Sequence, residues 1–348
     1  MRLALNIGYV ATAADGQQVR LARHAEALGY SCVWAAEAYG SDVVTMLTWV
    51  AAHTERIDVG SAIMQIPART PAMTAMTAAT LDALSQGRFR LGLGVSGPQV
   101  SEGWHGVRFN KPLSRQREYA EIVRAALARR TLAYEGEHFT LPLPDGPGKP
   151  LKLMMRPYRA HIPLYLAAVG PKNLELTGEV ADGWLGIFFA PEHAAASMGP
   201  LQVGAARAAR DLSALDMTVT VPVVVGDDVA TCAEALKPYT ALYVGGMGSR
   251  TQNFYHALAV RMGFADAARQ IQDHYLDGRP RDAAAAVPFE LVDQTALIGP
   301  GERITERLHA YAEAGITTLS IAPHGDTDEQ RYAVMNVVAE AMDGAGLA

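Results

Sequence analysis

Apolar residues in this chain follow two alternating rhythms. Short runs such as RLALNIGYV (2–10) and RFRLGLGV (88–95) give way to longer stretches such as QQVRLARHAEALG (17–29), where apolar positions recur every three or four residues. The first texture predicts buried strands and the second amphipathic helices. Strands are predicted at 2–10, 31–37, 57–63, 88–95, 163–169, 183–189, 218–226 and 317–323. Helices are predicted at 17–29, 42–53, 71–85, 115–130, 173–181, 191–212 and about 327–342. Strand alternating with helix implies a parallel sheet, and eight such units point to a closed (β/α)8 TIM barrel. Two stretches exceed a minimal barrel. Residues 131–160 read as a hairpin and an irregular loop, and 227–316 carry extra helices at 252–261, 265–276 and 301–314. Both read as insertions in a single domain spanning 1–348, because the last strand follows them.

The N-terminus tests this pattern. LALNIGYV followed by Ala11-Thr12-Ala13 imitates a short export signal, but Asn6 and Gly8 interrupt the apolar part, which favours a first strand. No apolar run is long enough to predict a membrane span. Hydrophobic residues make up 49% of the chain and charged ones 19%, enough apolar content for a large core. The net charge of −6 argues against a nucleic-acid or anionic-membrane surface. Cys32 and Cys232 lack metal or redox spacing and read as reduced, buried thiols of a cytoplasmic protein.

A barrel forms its active site at the carboxyl ends of its strands. The stretch LAAVGPKNLEL (166–176) stands out there: a strand-like run stops at Gly170-Pro171 and a helix begins at once. Proline suits the first helical turn, and the free N–H groups of a helix start favour an anion. Gly92-x-Gly94-x-x-Gly97 matches a dinucleotide-binding fingerprint only formally, since Pro98 and a long loop are predicted next instead of a helix. The small residues of GSAI (60–63) predict a strand end that either packs against a large neighbour or makes room for a flat ring. Met64, Met73, Met76, Trp104 and Phe109 suggest an apolar mouth, although methionines at helical spacing more often serve a core. The histidines show no metal-ligand spacing, so no metal site is predicted. No nucleophile elbow, phosphate-binding loop or strand-end lysine for aldolase chemistry is present.

WAAEAYGSD (34–42), VGSAI with PARTPAMTAM (67–76), LDALSQGRFRLGLGVSGPQVSEGWHG (81–106) and AAVGPKNLELTGEVADGW (167–184) together resemble the bacterial luciferase-like monooxygenase superfamily. YVGGMGSRTQNFYHALAVRMGF (243–264) and residues 295–323 extend the resemblance over nearly the whole chain. It is nearest to the deazaflavin (coenzyme F420)-dependent branch, similar to methylenetetrahydromethanopterin reductase. The resemblance implies an oxidoreductase that moves a hydride between reduced deazaflavin and a small organic substrate, at CH–CH, CH–NH or CH–OH groups. The alternatives are a flavin mononucleotide (FMN) monooxygenase of the same family and a non-catalytic deazaflavin-binding protein.

By resemblance, the cofactor phosphate lies on Gly170, Pro171, Lys172 and Asn173, beside Ala168 and Val169. The ring lies against Ser61, Ala62 and Ile63, with a non-proline cis peptide at Ala62-Ile63, and against Val95, Ser96 and Gly97. Glu37 and His105 are the candidate proton-handling groups; for Glu37 the competing role is a buried carboxylate paired with an arginine. Lys172, Arg69 and Arg108 are candidates for meeting an acidic cofactor tail. Glu37-Ala38 and Gly97-Pro98-Gln99 depart from the Asp-His and Gly-Glu of the family's sugar-phosphate dehydrogenases, which speaks against that role. A homodimer acting on a small molecule, without nucleic acid or membrane, completes the expectation.

Overall fold

In a computed structural model, which describes residues 1–9 and 16–347, eight parallel strands close into a barrel. They are β1 (Arg2–Gly8), β2 (Cys32–Ala35), β3 (Asp58–Ser61), β4 (Phe89–Gly94), β5 (Leu164–Ala167), β6 (Gly183–Ile187), β7 (Asp216–Val225) and β8 (Thr318–Pro323). Each pairs with the next, and β8 returns to β1 through the register Arg2↔Thr318 to Leu5↔Ile321. The eight predicted strands are these eight. Val10 and the Ala11-Thr12-Ala13 triplet lie outside the described residues.

Helices cover the outside, with local chemistry setting their ends. Asp42 caps Val43–Ala52 by accepting from the Thr45 N–H at 2.7 Å, and Thr70 caps Pro71–Leu84. The helix predicted at 115 starts earlier, at Pro112, because proline tolerates the first helical position. The stretch predicted as one helix over 191–212 divides into a turn at Pro191–His193 and a helix at Ala195–Arg207. A short helix, Pro98–Gly103, follows Gly97 at once, where a loop was predicted. The argument against a dinucleotide site therefore rests on the closed barrel, not on the absence of that helix. No helix among the described residues is long and apolar enough to cross a membrane.

The two extra stretches differ in kind. In 131–160, strands Tyr134–Glu135 and Thr140–Leu141 form the predicted hairpin, and the Glu118 carboxylate accepts from the N–H groups of Glu137, His138 and Phe139 at its turn. In 227–316, the helices from Val229 to Thr295 pack around an apolar cluster of their own, which includes Leu236, Val244, Ile271 and Leu291. The helix Gly301–Glu313 behaves otherwise: Ile304, Leu308 and Tyr311 join the main core, and it packs on the last helix, Asp328–Gly344. It is the regular barrel helix before β8. Cys32 lies inside the barrel and Cys232 in the second cluster, both as free, buried thiols.

The interior of the barrel is filled by few, large groups. Trp34 and Tyr165 meet edge to face with ring centroids 5.1 Å apart. Glycines make room for them: a Cβ on Gly60 would overlap the Trp34 ring, and one on Gly183 would overlap Tyr165. The small end of β3 therefore does pack against a large neighbour. Below the rings a polar plug closes the floor. Arg90 bridges Asp58 and Asp216, and Asp216 also accepts from the Tyr165, Thr317 and Thr318 hydroxyls at 2.6–2.8 Å. Burial alone would raise the Asp216 pKa, but these hydroxyls and Arg2 outweigh it and hold the carboxyl below its ordinary range.

At Gly92 an added methyl group would collide with the Ser61 backbone carbonyl, whereas at Gly97 the nearest atom is 3.9 Å away. Gly92→Ala is expected to destabilise the fold by about 3 kcal/mol, the upper end for overpacking, because backbone must move. Gly97→Ala should leave the urea midpoint nearly unchanged. Equal midpoints for the two variants would refute this account of the interior.

Candidate active site

The carboxyl ends of the strands surround a cavity of about 500 Å³. Ile63, Gln65, Gly94, Val95, Ser96 and Gly97 form one side, after β3 and β4. Residues 167–173, after β5, form the next. Tyr9 and Tyr39 follow β1 and β2, and Tyr243, Met247, Phe254 and Tyr255 reach in from the segment after β7. Of the predicted site residues, Glu37, Ile63, Val95, Ser96, Gly97, Ala168, Val169, Gly170, Pro171, Lys172 and Asn173 line this cavity; Ser61, Ala62 and His105 do not. The Ser61 hydroxyl ties β3 to β4, donating to the Gly92 carbonyl at 2.8 Å and accepting from the Gly92 N–H at 2.9 Å. The Ala62-Ile63 peptide is cis, at the position the family resemblance implied. His105 lies beyond the Pro98–Gly103 helix, its N–H donating to the Val100 carbonyl at 3.1 Å.

The segment after β5 is held from behind. The carbonyls of Ala167, Ala168 and Val169 accept from Asn173 Nδ2 at 3.1 Å, Trp184 Nε1 at 2.9 Å and Arg261 Nη2 at 3.0 Å. Three side chains from three elements thus fix three successive peptides. The helix Pro171–Val180 starts immediately afterwards, and no side chain caps it. The N–H groups of Asn173 and Leu174 turn back to the Gly170 carbonyl, whereas that of Lys172 meets no acceptor among the described residues. A helix start left in this state is receptive to an anion. The Lys172 ammonium is turned to solvent and pairs with Glu175 at 2.7 Å.

Glu37 is the buried carboxylate of an ion pair. Arg69 donates to both of its oxygens, at 2.5 and 3.0 Å, and the N–H groups of Gln65 and Val43 donate as well. Arg69 also donates to Asp42. Around this pair the strand ends are stitched together. Gln65 Nε2 donates to the Ala38 carbonyl and the Ser96 hydroxyl donates to Gln65 Oε1, each at 2.7 Å. Arg69 is therefore committed to carboxylates of this chain, and Arg108 is exposed beside Glu102 away from the cavity lining.

The aromatic wall was not foreseen. Phe188 adopts a positive φ of 53° just past β6 and stacks on Tyr239 at 5.5 Å; Tyr243 and Tyr255 pack edge to face at 4.8 Å. Burial pushes the hydroxyl pKa values of Tyr9, Tyr243 and Tyr255 up, so these groups stay protonated at neutral pH. Gly245 and Gly246 let this segment lie directly on Tyr275, where a Cβ on either would collide with the ring or its Cβ. The apolar mouth predicted from Met64, Met73, Met76, Trp104 and Phe109 is corrected: Met64 is core, Met73, Met76 and Trp104 are exposed outside the cavity, and Phe109 lines a separate small groove.

A parallel (β/α)8 barrel with a roomy cavity at its carboxyl face, and an uncapped helix start opening into it, defines a TIM-barrel protein with a candidate anion-binding pocket. The family model "Luciferase-like monooxygenase" matches residues 7–318, and the chain belongs to that family of oxidoreductases. A Mycobacterium tuberculosis protein named for coenzyme F420-dependent oxidoreductase activity is 41% identical over 92% of this chain and 94% of its own length. The 5,10-methylenetetrahydromethanopterin reductase of Archaeoglobus fulgidus is 29% identical, over 84% of this chain and 85% of its own. The solved coenzyme F420-dependent tetrahydromethanopterin reductase of Methanopyrus kandleri superposes with a TM-score of 0.82 at 22% identity, covering 98% of this chain and 97% of its own, a shared fold.

Replacing Arg69 by Met strands a buried carboxylate and should cost about 3 kcal/mol, the low end for a broken buried pair because the arginine keeps some hydration. Adding Glu37→Gln to Arg69→Met should recover part of that loss in chemical denaturation. A single variant as stable as the parent would show the pair to be solvated.

Proposed function

We propose that this protein transfers a hydride between reduced coenzyme F420 and a small organic substrate. The observation that carries the proposal is the uncapped helix start at Gly170–Lys172, which opens onto a largely apolar cavity with room for a flat ring. Coenzyme F420 stands in the names of the Mycobacterium tuberculosis and Methanopyrus kandleri proteins above, which supports the same cofactor. A bound deazaflavin supplies a hydride, and carbon in place of its N5 makes it slow to react with oxygen.

The residues present suit that group. The N–H groups at the helix start would hold its phosphate, and Ile63, Gly94, Val95 and Gly97 would face its ring. The apolar walls would keep water from the reacting centre. Glu37 has both oxygens engaged by Arg69, so the better-placed proton sources are the tyrosines of the aromatic wall, which burial keeps protonated. Their protons would balance the hydride at a carbonyl, imine or conjugated carbon.

The test is a fluorescence titration with coenzyme F420 and with FMN. Micromolar or tighter F420 binding with weak FMN binding supports hydride transfer. The reverse preference, with rapid oxygen consumption by the reduced complex, would sink it in favour of a monooxygenase. Gly170→Asp sharpens the result. No atom lies within 4 Å of the added Cβ, and an aspartate at a helix cap accepts the same N–H groups that the phosphate needs. F420 affinity should fall at least tenfold while the melting temperature holds or rises.

We further propose that the chain is a homodimer. Met73, Met76 and Leu84 form one exposed stripe on the Pro71–Leu84 helix, with Trp49 exposed on the helix packed beside it. Exposed apolar side chains grouped on one face, rather than scattered singly, suit a protein interface. Light scattering during size-exclusion chromatography at micromolar concentration should give twice the 37.2 kDa chain mass. Met76→Lys combined with Trp49→Lys should then yield a monomer; a parent protein already monomeric would overturn the assignment.

A further inference from the structure

We propose that Arg261 is a second anion subsite of the cofactor pocket and selects a cofactor whose acidic groups continue beyond its phosphate; this rests on the deazaflavin reading above. Three positive side chains around the Pro171–Val180 helix are neutralised by acids on that helix. Lys172 pairs with Glu175, Arg117 with Glu179, and Arg207 with both. Arg261, at the other end of the helix Phe254–Arg261 whose first residues line the cavity, is different. Its recorded contact is the Val169 carbonyl, at 3.0 Å, and it has no carboxylate partner among the described residues. The guanidinium is partly desolvated, which lowers its pKa, and no neighbouring acid offsets that.

The geometry gives this charge a direction. Val169 directly precedes the cap residue Gly170, so one N–H of the guanidinium is spent on the peptide that leads into the helix start. The remaining donors of a planar five-donor fork are left beside the site where the phosphate would lie. A ligand ending at one phosphate is served by the helix N–H groups. A ligand that continues into carboxylates, as coenzyme F420 does beyond its phosphate, would bring those groups past the helix start, where Arg261 holds the Val169 carbonyl and has no carboxylate partner among the described residues. Arg69 and Arg108, the arginines singled out from sequence for an acidic tail, are paired or remote.

The experiment compares two deazaflavins that share ring and phosphate: coenzyme F420, and a truncated deazaflavin mononucleotide ending at the 5′-phosphate. Binding is followed by fluorescence quenching at low and high salt. Arg261→Gln keeps a donor for the Val169 carbonyl and removes the charge, so the fold should hold and the melting temperature serves as the control. F420 affinity should fall about tenfold and lose much of its salt dependence, the truncated compound should change less than twofold, and Arg261→Lys should restore most of the difference. Equal losses for both compounds would make Arg261 a phosphate or packing residue and overturn the proposal, as would no loss for either. A parent protein that binds FMN but neither deazaflavin would instead refute the deazaflavin reading, and this inference with it.

Discussion

The volume inside the barrel is the constraint on which the rest depends. Eight strands enclose a fixed space, and here Trp34 and Tyr165 occupy its middle because Gly60 and Gly183 give up their side chains. Below them Arg90 and Arg2 balance the charges of Asp58 and Asp216. With the floor and middle closed, the remaining space lies at the carboxyl end. The cavity is thus a consequence of where the filling stops. Its position fits the general behaviour of such barrels, but its size depends on these particular rings and glycines.

Around that space, polar groups are used mainly to fix backbone. Glu37 and Arg69 satisfy each other and pin the ends of β2 and β3, while Gln65 and Ser96 join β3 to β4. Trp184, Asn173 and Arg261 pin the end of β5. Charged groups near an active site need not be reactive. Here most are already partnered, and the same arrangement makes the one anion-receptive helix start conspicuous.

How much of this the sequence disclosed follows from how local each feature is. Strand and helix alternation is written in consecutive residues, so the barrel was legible. The turn at Gly170-Pro171 needs two adjacent residues, and it could be read without any relative. The cis peptide could be placed only through the family resemblance. The aromatic wall could not be read, because Tyr9, Tyr39, Tyr243 and Tyr255 lie far apart in the chain and meet only once β8 pairs with β1. The methionines misled for a related reason: helical spacing tells which residues share a face, not which way that face points. Arg261 gave no signal at all, since its meaning lies in the carboxylate it lacks.

The longest strand, β7, has ten residues; one edge pairs with β8, and the other is divided between two neighbours. Its first five pair with β6 inside the barrel, and its last three pair with Leu297–Gly299 above the rim. The block of helices between is consequently bolted to the scaffold by main-chain hydrogen bonds, which do not depend on side-chain identity. That block contributes Tyr243, Met247, Phe254 and Tyr255 to the cavity, while the helix start and the ends of β3 and β4 belong to the scaffold. The two halves of the pocket are therefore written in separate passages of the gene. Mutational drift across residues 227–296 can reshape one wall of the pocket while the half built on β3 and β4 stays as it is, which gives this architecture an evolutionary freedom that a site built wholly from barrel loops would lack.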